Sequence, residues 1–152
     1  MSKIVECLYW DGHQLTLYLE DRNILIEKLT PVMQALHDQY AVQGWNGLLD
    51  GEALAEYVVS EVELVTDGSR WLGFNVVRPW FLTEEVVTEE FIGGFNTAEA
   101  VAILKVVAKV AEATRILVGT RAAPDGKHRG LSKLYQNLGL KVSTIELTLE
   151  TP

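Results

Sequence analysis

The sequence contains one cysteine (Cys7), three histidines and four prolines. No stretch of it approaches the ~20 apolar residues that a membrane span requires. A lone cysteine excludes an intrachain disulfide framework and a thiolate metal site, and Cys7 reads as a small strand hydrophobe. His13 and His37 have no ligand-like partners nearby in the sequence, so no metal is expected. Positive charge is scarce: 13 Lys and Arg stand against 21 Asp and Glu, giving a net charge of −8. Such a surface repels phosphate backbones, which argues against general nucleic-acid binding. The basic cluster Lys127-His128-Arg129, with Arg121 near it, is too small to reverse the sign. A signal peptide's apolar run is missing from Met1 to Glu6, so a cytoplasmic location without a membrane partner is expected. There is no Pro/Gly/Ser-rich linker, internal repeat or low-complexity segment.

What remains is the composition of an ordinary globular domain. The 152 residues are 48% hydrophobic and 22% charged, enough to bury one core, and the expected organisation is one domain over residues 1–152. Ile4 to Leu8 and Gln14 to Leu19, on either side of Asp11-Gly12, read as a strand pair. Thr30 to Tyr40 reads as a helix, with Thr30 as cap and Pro31 at the first helical position. A second helix is expected from Asp50 or Gly51 to about Val59, covering one face with Leu54, Tyr57 and Val58. Three strands follow as a meander. Val62 to Val65 turns at Asp67-Gly68-Ser69 into Trp71 to Val77, and Val86 to Ile92 comes next.

Asn96-Thr97-Ala98-Glu99 is a capping-box signature, and it opens a helix expected to run to about Ala113. Val101, Leu104, Val107, Ala108 and Ala111 give that helix a broad apolar face. Arg115 to Thr120 reads as a buried strand, parallel to the one before the helix by the crossover rule. A short helix from Leu131 to Leu138 stops at Gly139. Lys141 to Leu149 alternates like a closing strand. The fold class is α+β, with a mixed, mostly antiparallel sheet flanked by helices.

From about Thr30 to Leu149 this succession resembles the GNAT acetyltransferase fold. Three segments carry the resemblance. Val65 to Phe74 looks like the family's hairpin with its apolar-Gly-Phe element. Thr88 to Glu112 looks like its fourth strand, pyrophosphate turn and main helix. Leu134-Tyr135-Gln136-Asn137-Leu138-Gly139-Leu140 looks like its late "Leu-Tyr-x-x-x-Gly-Phe" element. The resemblance implies acetyl-CoA as donor. Its pyrophosphate would lie on Gly93, Gly94, Phe95, Asn96 and Thr97, at the positive end of a helix dipole. It implies Tyr135 as the acid for the departing thiolate, with Glu89 or Glu90 as base. Adjacent strand residues face opposite sides, so only one of those two carboxylates can reach the cleft. The family's Arg or Gln before the glycines is missing, and Glu89 and Glu90 stand just upstream.

Two functions follow. One is an N-acetyltransferase acting on a small-molecule or protein amine, and an acidic cleft would suit a cationic acceptor. The other is a non-catalytic GNAT-like binding or assembly protein, of the divergent kind that bacteriophages carry. A homodimer paired through Val142 to Leu149 is compatible with both. Trp71 is expected in the core, and Trp80-Phe81 at an exposed strand end that could meet a partner or acceptor.

Overall fold

The computed structural model describes residues 3–10, 13–19, 21–119, 131–143, 149 and 151, with the backbone alone for 3–19 and 131–132. In chain order the elements are β1 (Lys3–Trp10), β2 (His13–Leu19), α1 (Arg22–Val42), α2 (Gly51–Glu61), β3 (Glu63–Thr66), β4 (Trp71–Val77), β5 (Val86–Gly93), α3 (Thr97–Ala111), β6 (Arg115–Leu117) and α4 (Leu131–Asn137). The described strands form one sheet in the order β1-β2-β3-β4-β5-β6. Every neighbouring pair from β1 to β5 is antiparallel, and β5 with β6 is parallel. The expected strand pair, meander and parallel crossover are all present.

Side-chain alternation divides the core between the two faces of this sheet. Leu64, Trp71 and Phe91 meet Leu25, Leu29 and Met33 of α1 and Ala55 and Val58 of α2. Val65, Leu72, Phe74 and Val87 meet Phe95 and the apolar face of α3, from Ala100 to Ala108. Trp71 is buried, as expected. Each of these buried Leu, Val or Phe side chains contributes about 1.5–3 kcal/mol relative to exposure. Gly73 lies on the α1/α2 face, where its missing side chain leaves room for the Phe91 ring.

α1 differs from its expected form. It begins at Arg22, capped by the Asp21 side chain, and Pro31 lies inside it. Thr30 is no cap: its hydroxyl donates to the Ile26 carbonyl at 2.6 Å, one turn back. The buried row Leu25, Leu29 and Met33 holds the helix together across the proline, whose missing N–H costs one backbone bond. In α2 the inward positions are Gly51, Ala55 and Val58, while Tyr57 is exposed. Gly51 brings the two helices close, since a Cβ there would lie 2.9 Å from the Thr30 carbonyl oxygen. α3 stops at Ala111, two residues short of the expected end, with Glu112 in the left-handed region at φ 57°.

β6 ends at Leu117, and residues 118–119 continue without regular structure. Residues 141–143 carry no strand. Residues 144–148, and with them most of the expected closing strand and its pairing across subunits, lie outside the described residues. So does the loop with Arg121, Lys127, His128 and Arg129.

Candidate functional site

Among the described residues, β5 and β6 are paired only through Val86–Arg115, Val87–Ile116 and Thr88–Leu117. β5 then runs on to Gly93 alongside β4, so the parallel pair opens into a fork. Glu89 is the first β5 residue beyond the last paired position. A β-bulge follows at once: Phe74 is opposite Glu89, Gly73 is opposite Phe91, and Glu90 is the extra residue. The bulge reverses the alternation, so that Val87 belongs to the α3 face and Phe91 to the α1/α2 face.

This geometry separates the two glutamates. Glu89 is half-buried, and its Oε2 accepts a hydrogen bond of 3.2 Å from the Tyr135 hydroxyl. Glu90 is exposed and accepts from the Thr88 hydroxyl at 2.9 Å. Tyr135 is only 3% exposed, and α4 closes behind it with the Leu140 N–H donating to the Tyr135 carbonyl at 3.1 Å. An acid candidate from α4 and a base candidate from β5, 46 residues apart in sequence, thus meet at the fork.

The five residues expected to contact a cofactor run from Gly93, the last of β5, to Thr97, the first of α3. Gly94 adopts φ +106°, a conformation that suits glycine. Gly93 lies against Val32 of α1, and Phe95 is buried in the α3-side core, so neither side chain position faces outward as a ligand contact. Asn96 caps α3 by accepting from the Glu99 N–H at 2.8 Å, and Glu99 Oε1 accepts from the Asn96 N–H at 3.0 Å. The capping box therefore uses two of the amides at the helix start. The amides of Thr97 and Ala98 have no acceptor among the described residues.

Arg70 was not among the expected site residues, yet it reaches this turn. Its guanidinium lies 4.5 Å from the Phe95 ring centroid, bonds Asp67 Oδ2 at 2.8 Å and bonds Glu99 Oε2 at 2.9 Å. The position follows from topology. β4 and β5 are antiparallel, so the residue before β4 comes to lie beside the end of β5. The Asn96 N–H first, and the Arg70 guanidinium after it, hold Glu99 below its usual carboxylate range. For Asp67, burial works upward, but the N–H groups of Arg70 and Ser69 and the Arg70 side chain outweigh it and lower the pKa to about 2. The same two carboxylates raise Arg70 further above its ordinary value.

Away from the fork, α1 and α2 enclose an open groove of about 480 Å³ lined by Asn23, Ile26, Glu27, Thr30, Pro31, Glu52 and Glu56. None of the sequence-predicted site residues lines it. Trp80 is 94% exposed and meets Phe81 edge to face with centroids 5.5 Å apart. His37 is bound to the Leu49 carbonyl at 2.8 Å, a clamp on the loop between α1 and α2. Among the described residues no group of His, Cys, Asp and Glu is placed to hold a metal, and no helix is long and apolar enough to cross a membrane.

The architecture matches solved structures at low sequence identity. A ribosomal-protein-alanine N-acetyltransferase from Brucella melitensis biovar Abortus 2308 superimposes with a TM-score of 0.55 at 16% identity, covering 83% of this chain and 93% of that one. The chain has the GNAT fold. An aminoglycoside acetyltransferase from an uncultured soil metagenomic sample is similar over 91% of this chain and 99% of its own, with a TM-score of 0.54 and 13% identity. An integron cassette protein from the mobile metagenome of V. cholerae covers 99% of this chain and 93% of its own, with a TM-score of 0.51 and 11% identity. No protein-family model and no curated protein sequence matches the chain. At these identities the likeness concerns the GNAT fold, and activity rests on the site.

Proposed function

We propose that this GNAT-fold protein is an acetyl-CoA-dependent N-acetyltransferase acting on an amine. The observation that carries the reading is the Tyr135–Glu89 hydrogen bond at the fork of β5 and β6. Transfer from a thioester to an amine needs a base for the attacking nitrogen and an acid for the departing sulfur. Glu89 has the first role and Tyr135 the second. Glu90, carried by the bulge and bonded to Thr88, is assigned neither.

The amides of Thr97 and Ala98, at the positive end of α3, fit the phosphates of the donor, and Gly94, at φ +106°, forms the turn that leads to them. Bound there, the donor would supply an activated acetyl group. The amine class is a small molecule or a protein terminus or lysine, and a cationic form suits a chain of net charge −8. The reading also proposes a cytoplasmic protein without membrane or general nucleic-acid partners.

A second reading is supported by one observation. The capping box already satisfies two amides at the α3 N-terminus, and Glu99, paired with Arg70, places a carboxylate where an anion would approach. A GNAT-like binding or assembly protein needs no open anion site. Thioester consumption with spermidine and with a lysine-containing peptide as acceptors separates the two. The enzyme reading expects turnover that Glu89→Gln lowers by roughly a hundredfold in kcat/KM. Wild-type protein inert with every amine offered would favour the binding role.

A further inference from the structure

We infer that Glu89 and Tyr135 work as one proton-sharing unit, in which the proton that Glu89 takes from the acceptor nitrogen is passed across their hydrogen bond to restore the Tyr135 hydroxyl. This rests on the acetyltransferase reading of the same site and goes beyond it. That reading needs a base and an acid, and nothing in it requires them to touch.

Three observations carry the inference. The Tyr135 hydroxyl donates directly to Glu89 Oε2 at 3.2 Å. Tyr135 is 3% exposed, so a phenolate left after giving up its proton has little access to water as a source of replacement. Glu89 is fixed in place by the pairing of Phe74 with it and by the buried Val86 and Val87 before it. Glu89, half-buried and in direct hydrogen bond with that hydroxyl, is placed to return a proton to it once it has itself been protonated.

The proton count closes. An ammonium acceptor releases one proton to water on becoming a nucleophile. Its nitrogen then forms a bond to the acetyl carbon, the carbon–sulfur bond breaks, and Glu89 takes the second nitrogen proton. Tyr135 gives its hydroxyl proton to the departing sulfur. Glu89 then gives its proton to the Tyr135 oxygen, which returns both side chains to their starting state. No oxidant, metal or further co-reactant is needed.

The test has a ligand-free part and a kinetic part. With 13C at Cζ of tyrosine, the Tyr135 resonance, identified by its loss in Tyr135→Phe, is expected to move in Glu89→Gln. A resonance that stays in place overturns the inference. With acetyl-CoA and spermidine or a lysine-containing peptide, each single variant is expected to lose roughly a hundredfold in kcat/KM. The double variant is expected to stay within about threefold of the worse single, because residues acting as one unit are not additive. Rates in water–deuterium oxide mixtures are expected to fit two protons in flight for the wild type and one for Glu89→Gln. Losses that multiply, or a one-proton dependence in the wild type, overturn the shared unit and leave the acetyltransferase reading intact. Wild-type protein without transfer activity overturns both.

Discussion

Arg70 shows how single side chains shape the helix start. Its guanidinium joins Asp67 in the hairpin turn to Glu99 in α3 and covers Phe95, so one residue ties two elements and the core edge together. Asp67 gives this arrangement a pH signature. Its folded pKa of about 2 lies below the ordinary 3.8. The stabilisation is therefore complete above about pH 4 and is lost as pH falls towards 2. Asp67→Asn is expected to unfold more easily than wild type at pH 7 by on the order of 1–2 kcal/mol. That difference should shrink through the acid window, and denaturant titrations at pH 7, 4 and 2.5 measure it. Gly73 makes a separate prediction. Any Cβ there overlaps the Phe91 ring, so Gly73→Ala should destabilise by about 1–3 kcal/mol, read as a lower denaturation midpoint. The glycine of the hairpin element was legible in the sequence as a pattern, but the reason for it was not. Phe91 reaches that face only because of the bulge at Glu90, and a run of strand residues gives no sign of where a bulge will fall. Arg70 was hidden for a similar reason: the Glu99 carboxylate it bonds lies 29 residues away.

At the scale of elements, α3 was the most legible. Its capping box and apolar face are local, and Asn96 and Glu99 bond each other as the spacing predicts. The same box altered the expected anion site, because it consumes the Asn96 amide and leaves those of Thr97 and Ala98. Thr97 is the first helical residue and follows an extended Asn96 at ψ 171°, the backbone setting that proline accepts. Thr97→Pro is therefore expected to fold with an unchanged melting temperature while losing one amide. CoA affinity should fall about tenfold, the worth of one charge-assisted hydrogen bond. An unchanged affinity, by calorimetry, would remove the α3 amides from the site. α1 is less legible. Thr30-Pro31 has the form of a helix start, and a local rule places the start there. Packing of Leu25, Leu29 and Met33 against α2 and the sheet overrides it and carries the helix back to Arg22. In α2 the tight crossing at Gly51 turns Ala55 inward and leaves the larger Tyr57 outside.

Across the whole molecule, the order of elements was enough to anticipate the GNAT fold, because α2, the β3–β4 hairpin and α3 carry cap or turn signals at Asp50, Asp67-Gly68-Ser69 and Asn96. The fork is another matter. It depends on β6 pairing with only the first three residues of β5, which no periodicity encodes. Glu89 and Tyr135 were each visible as candidates, and their meeting is a product of the tertiary fold. An acidic protein that binds a polyanionic donor must concentrate its few favourable groups at one place. On the proposed function that place is the start of α3, where the amides of Thr97 and Ala98 have no acceptor among the described residues. Calorimetric titration of the wild-type chain with acetyl-CoA tests this most directly. Saturable one-to-one binding in the micromolar range is the predicted result, and no detectable heat at millimolar ligand would contradict it.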